Sequence, residues 1–130
     1  MHALTPNKIA KPFGEYSHGC LVNPNWQLLV TSGQLGMAAD GSIPKDAEAQ
    51  AEICFANITA ILKVANAGPE NVVRLNAFVT TRDDFPAYMA VRDRWLAAVP
   101  ALPASTLVIV VGFTHPAFLV EVEATAAIPN

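Results

Sequence analysis

Two carboxylates, Glu121 and Glu123, stand two residues apart in Val120-Glu121-Val122-Glu123-Ala124. On a strand that spacing puts both on one face. A carboxylate fixed there can serve as a general acid or base; the plainer alternative is a solvated or subunit-boundary pair. Ser32-Gly33 closes an apolar stretch, and glycine there breaks the strand and lets backbone approach another group closely. The Ser32 hydroxyl then either finishes the strand by bonding backbone or lines a pocket beside that glycine. His18 and His115 lie far apart without a partner at metal-ligand spacing, so surface or capping roles are expected. Cys54 falls beside the apolar stripe of a helix and reads as a small buried hydrophobe. Cys20 follows Gly19 in a strand, with no electropositive setting that would activate its thiol. Arg92, Asp93 and Arg94 read as a solvated helix face. Their alternative is that one of them reaches a neighbouring subunit's pocket.

The elements that must carry these residues follow from periodicity. Residues 16–22 and 27–32 read as strands joined at the turn Asn23-Pro24-Asn25. A helix runs from Asp46 to about Ala67, with Ala49, Ile53, Ala56, Ala60 and Val64 at helical steps, Ile61 widening the stripe, and Gly68-Pro69 as a stop. Val72 to Thr80 is a β-branched and aromatic strand. A second helix begins near Asp84, carries Phe85, Tyr88, Met89, Val91 and Trp95, and is closed by Pro100 and Pro103. Strands at about 105–111 and 118–126 complete the order β-β-α-β-α-β-β. Helices joining strands imply parallel crossovers, while flanking strands can pair as hairpins. The result is an α+β mixed sheet with both helices on one face. The other face is left bare and is expected to pack against another subunit.

Length and composition narrow the function. The 130 residues fit one domain spanning 1–130. With 52% hydrophobic and 15% charged residues, a packed core forms and disorder is excluded. Eight Lys and Arg against 11 Asp and Glu give net −3, which opposes a nucleic-acid partner. No run reaches the ~18 apolar residues of a membrane span, and the N-terminus lacks a signal-peptide core. Two cysteines are too few for a disulfide scaffold. A cytoplasmic protein is the expectation.

Read in order, several segments resemble one family. Pro12-Phe13-Gly14-Glu15-Tyr16-Ser17-His18-Gly19 is similar to its G-P-Y-S-x pattern, and Thr31-Ser32-Gly33-Gln34 to its T-S-G-Q strand end. Gln50-Ala51-Glu52 through Asn57-Ile58, then Asp84-Phe85, Pro103-Ala104 and Val120 to Ala124 resemble four further blocks. Over nearly its whole length the chain resembles the Rid (YjgF) family of reactive-intermediate enamine/imine deaminases. The resemblance implies a chorismate-mutase-like, ferredoxin-like fold assembled as a homotrimer, with a small-molecule pocket at each subunit boundary and no metal or organic cofactor. It implies Glu121 as the catalytic group holding the attacking water, with Tyr16, Ser32 and Gly33 lining the pocket. Ser105 stands where the family's carboxylate-binding arginine is expected, and Leu107 where a cysteine is common.

An arginine fork makes charge-assisted bonds of about 1.5–3 kcal/mol each, which a serine hydroxyl does not match. Segment 101–126 holds no other Lys or Arg; the next candidates are Arg82, Arg92 and Arg94. A hydrolytic deaminase of a small enamine or imine, with a ligand other than a simple 2-imino acid, is therefore the expectation. A non-catalytic small-ligand-binding trimer of the same fold is the alternative. Ribonuclease activity needs a basic strand-tracking surface that a net charge of −3 does not provide.

Overall fold

Helix α1, Ala47–Val64, starts where Asp46 caps it: the Asp46 carboxylate accepts from the Ala49 N–H at 2.8 Å. It ends earlier than the Gly68-Pro69 signal suggests. Asn66 takes up the left-handed conformation at φ 53°, and the Ala67 N–H returns to the Leu62 carbonyl at 2.9 Å. Gly68-Pro69 instead opens a short turn, Pro69–Asn71, ahead of the next strand. The buried stripe of α1 is Ala47, Ala51, Cys54, Phe55, Ile58 and Leu62, not the expected Ala49, Ile53, Ala56, Ala60 and Val64. Val64 is 88% exposed. Both stripes are apolar at helical spacing, and side-chain volume decides between them: Phe55, Ile58 and Leu62 bury far more surface than alanines.

The computed structural model describes all residues from Met1 to Asn130. Strands β1 (His2–Leu4) and β2 (Gly19–Leu21) form a separate antiparallel ribbon. The main sheet has the order β3 (Gln27–Val30), β7 (Val120–Ile128), β5 (Val72–Val79), β6 (Ala104–Ile109), with β4 (Gln34–Leu35) also paired to β7. Helix α2 (Phe85–Trp95) carries the parallel crossover from β5 to β6. Asp84 precedes it but makes no capping bond; Pro86 in its first turn supplies the helical φ.

Neither expected hairpin forms. The Asn23-Pro24-Asn25 turn exists, with the Trp26 N–H bonded to the Asn23 carbonyl at 3.1 Å, yet it passes the chain from the small ribbon to the main sheet. The strand expected at 118–126 does not fold back on its predecessor; it becomes the central strand β7, antiparallel to both β3 and β5. Central placement buries Val120, Val122, Ala124 and Ala126 under the helices, which an edge position would not. Leu75, Ala77 and Val79 of β5 share that face and join Phe55, Ile58, Leu62 and Tyr88 in one core. Both helices thus cover one face of a mixed sheet. The opposite face carries Arg74, Asn76 and Thr106 with Glu121 and Glu123, by strand alternation and register.

Candidate functional site

A cavity of about 380 Å³ opens between α2 and β6. Phe13, Phe85, Met89 and Leu107 give it apolar walls, and Tyr16, Arg92 and Ser105 bring the polar groups. Ser105 and Leu107 pair in register with Leu75 and Ala77, so they point to the helix side of the sheet. Tyr16 arrives because its neighbour is pinned: Ser17 donates its N–H to the Pro103 carbonyl at 2.9 Å and its hydroxyl to the Leu102 carbonyl at 2.8 Å. The Tyr16 hydroxyl in turn accepts from the Phe13 N–H at 3.1 Å, fixing the ring.

Arg92 corrects the expected solvated face. Arg94 does lie outside, paired with Glu48 and Glu52, but Arg92 is only 2% exposed. Its Nε donates to the Asp93 carboxylate at 3.0 Å. Nη2 is also 3.0 Å from that oxygen but off the hydrogen-bond line, so it has no true acceptor. The guanidinium carbon sits 5.6 Å from the Tyr16 ring centroid and 5.8 Å from that of Tyr88. Gly14 makes room for it: a Cβ there would lie 2.5 Å from Arg92 Nη2. Beneath the guanidinium, burial holds the Tyr88 phenol well above its ordinary pKa, against the opposing pull of Arg92. The Ser105 hydroxyl lies near enough to Tyr88 to bias its ionisation, yet neither oxygen reaches hydrogen-bond geometry with a partner.

Glu121 belongs to a second patch on the other face of the sheet. It pairs with Phe78 on one side and Leu35 on the other. Its carboxylate lies over Gly33, where any Cβ would overlap it. Burial, and then the neighbouring Glu123, raise the Glu121 pKa above the usual carboxylate value. Glu123 is engaged by the Asn76 amide at 3.0 Å. Ser32 is exposed in the link between β3 and β4, with its carbonyl accepting from the Gln34 amide at 3.2 Å.

The six residues singled out from sequence therefore fall into two groups. Tyr16, Ser105 and Leu107 meet in the cavity; Gly33 and Glu121 meet on the opposite face, with Ser32 exposed in the link beside Gly33. Strand β5 lies between β6 and β7, so the groups are about 10 Å apart as well as on opposite sides of the sheet. Phe13, Phe85 and Met89 line the pocket without a role expected from sequence, and of the candidates Arg82, Arg92 and Arg94 it is Arg92 that lines it. A signal existed: Phe85, Met89 and Arg92 follow at steps of four and three, placing an arginine on the apolar stripe of α2. His18 bonds the Ala10 carbonyl, His115 accepts from the Ala117 N–H, and burial pushes the Cys54 thiol up to about 12.

A profile of the family described as endoribonuclease L-PSP matches residues 6–128. A RutC family protein of Synechocystis is 29% identical over 92% of this chain and 90% of its own. The chain spans 63% and 65% of the length of curated relatives from Schizosaccharomyces pombe and Pasteurella multocida. Among solved structures, a Rid-family protein of unknown function from Yersinia pestis superposes with TM-score 0.84 at 25% identity, covering 98% of each chain. A protein of unknown function from Pseudomonas aeruginosa gives 0.71 at 33% identity, over 92% of this chain and 86% of that one.

Proposed function

Because the chain belongs to the endoribonuclease L-PSP family, the YjgF/Rid family, we propose that it hydrolyses a small enamine or imine to a carbonyl compound and ammonia. The observation that carries this reading is the Glu121 carboxylate, seated over the bare backbone of Gly33 with its pKa raised. A raised pKa makes it a better proton acceptor near neutrality. Water adds to the carbon of the protonated imine while Glu121 takes one of its protons. The carbinolamine nitrogen then receives that proton and leaves as ammonia, while the Glu121 carboxylate takes the hydroxyl proton and the oxygen forms the C=O bond. The electrophile is already activated, so one placed base suffices.

The site is completed between copies. Leu28, Val30 and Val108 leave the uncovered sheet face 65%, 73% and 40% exposed at those positions, an apolar surface suited to burial in a homotrimer. A boundary between copies is where the Glu121 patch of one subunit and the Tyr16 pocket of the next can face one ligand. Ser32 and Gly33 border the first of these, Ser105 and Leu107 the second. The family's endoribonuclease description does not suit this chain: a net charge of −3 and carboxylates on the open face repel a phosphate backbone. Ser105 at the expected arginine position favours one other reading, a trimer that binds a small ligand without turnover.

Imines generated in situ from a panel of amino acids and amines test the proposal by ammonia release. The protein accelerates release for at least one, and Glu121→Gln lowers that rate at least ~100-fold, about 2.7 kcal/mol of barrier. The wild-type rate rises with pH through a midpoint above the ordinary carboxylate range, since the basic form of Glu121 acts. Saturable binding with release never above buffer would replace this reading with the non-catalytic one.

A further inference from the structure

We propose that the α2–β6 cavity selects an imine with an apolar body and no carboxylate, that Asp93 sets this selectivity by neutralising Arg92, and that Ser105 is the neutral polar contact. The inference rests on the proposed function and deepens it by naming the substrate class: the imine of a primary amine rather than of an amino acid.

Charge around the cavity cancels. Arg92 is the one charged side chain lining it, and the Asp93 carboxylate lies 3.0 Å from both its Nε and its Nη2. The guanidinium is buried, so water screens that attraction only weakly. A ligand carboxylate arriving at Arg92 would bring a second negative charge beside Asp93, and like charges placed together reject the wrong partner. Glu15 joins Asp93 in lining the adjoining groove, which keeps the potential there negative. Arg94 offers no relief, because it turns outward to Glu48 and Glu52.

What the cavity leaves open is neutral. Ser105 Oγ on its wall and Tyr88 Oη close by are buried hydroxyls without a hydrogen-bond partner. A hydroxyl both donates and accepts, and buried groups left unpaired mark where a ligand atom belongs. An uncharged C=N–H or C=O group satisfies the Ser105 hydroxyl without the desolvation cost of a charge. The rest of the wall is apolar: the rings of Phe13 and Phe85 and the thioether of Met89 suit an aromatic body. A volume of about 380 Å³ has room for a phenyl ring on a short chain.

Calorimetric titration of the full chain with phenylacetamide and phenylacetate, alike in shape and different in charge, tests this. The amide binds at least ~10-fold tighter than the acid, about 1.4 kcal/mol. Asp93→Asn frees the Arg92 charge and narrows that gap at least ~5-fold, through tighter binding of the acid. Ser105→Ala weakens the amide at least ~5-fold and leaves the acid unmoved. The wild-type preference decides the substrate class by itself, even where a variant does not fold. An acid that binds as tightly as the amide, no saturable binding of the amide at ~10 mM, an unchanged gap in folded Asp93→Asn, or an amide affinity untouched by Ser105→Ala would each overturn the proposal. Failed imine hydrolysis with the amide preference intact would overturn only the catalytic reading.

Discussion

The molecule buries polar side chains in two places and treats them in opposite ways. Gln50 on α1 is fully buried, and each of its polar atoms is used: Nε2 donates to the Pro44 and Ala117 carbonyls and Oε1 accepts from the Leu119 N–H, all at 2.8 Å. One side chain thereby ties the approach to α1 to the approach to β7. Around the α2–β6 cavity, Tyr88, Arg92 and Ser105 are buried as deeply in part and left incomplete. Each cluster is accommodated by a glycine, Gly36 against Gln50 and Gly14 against Arg92. A satisfied buried amide stabilises its surroundings and has nothing left to offer a ligand. An unsatisfied one gives up stability and keeps binding capacity. The difference separates a structural knot from a cluster whose polar groups are left unpaired.

The two clusters differ most in what loss of the Gln50 amide does. Gln50→Leu strands the Leu119 N–H and two carbonyls and is expected to cost about 3 kcal/mol. That lowers the melting temperature by ~10 °C for a chain of this length. A loss below about 1 kcal/mol in urea titration would mean the knot is not structural. The glycines sharpen the same contrast at smaller magnitude. A Cβ at Gly36 would meet the Gln50 backbone Cα at 2.8 Å, so Gly36→Ala forces main chain apart and costs about 2 kcal/mol. At Gly14 the obstacle is the far end of Arg92, which can swing away. Gly14→Ala should cost about 1 kcal/mol or less. Equal stability losses at the two glycines would contradict the division.

Much of the scaffold was legible because it is written locally. Asp46 before α1, the β-branched run of β5 and the alternation of β7 each announce their element in adjacent residues, and the blocks from Tyr16 to Glu121 carried the family. What failed was non-local. The Asn23-Pro24-Asn25 turn has the chemistry of a hairpin, yet turn residues do not say which strand becomes the partner. The destination of β7 depended on which position buries its alternate side chains. Spacing alone does not select the buried stripe of α1, because two apolar faces compete and side-chain volume chooses between them. From sequence, Arg92 points to solvent because a charge between Val91 and Asp93 looks exposed. Only the sharing of one helix face with Phe85 and Met89 brings it inward. Gln50 was legible as part of a motif, but its three bonds join segments distant in the chain, and no local pattern encodes them.

Tyr88 is fully buried, and its hydroxyl makes no hydrogen bond. Tyr88→Phe removes an oxygen whose desolvation is uncompensated, which favours the variant by a few tenths to about 1 kcal/mol. Against this stands a weaker attraction between the ring and Arg92, about 0.5 kcal/mol. The ring itself keeps its packing on Phe55, 5.9 Å between centroids, so no cavity opens. The two terms nearly cancel, and urea unfolding should return a stability within about 0.5 kcal/mol of wild type, on the stabilising side. That outcome would set Tyr88 apart from Gln50, where removing a buried polar group is costly, even though both side chains are equally hidden from solvent. A loss above about 1 kcal/mol would show the hydroxyl to be bonded after all, through a water or a partner subunit. The cavity would then rank with the Gln50 knot as structure rather than as a place for a ligand.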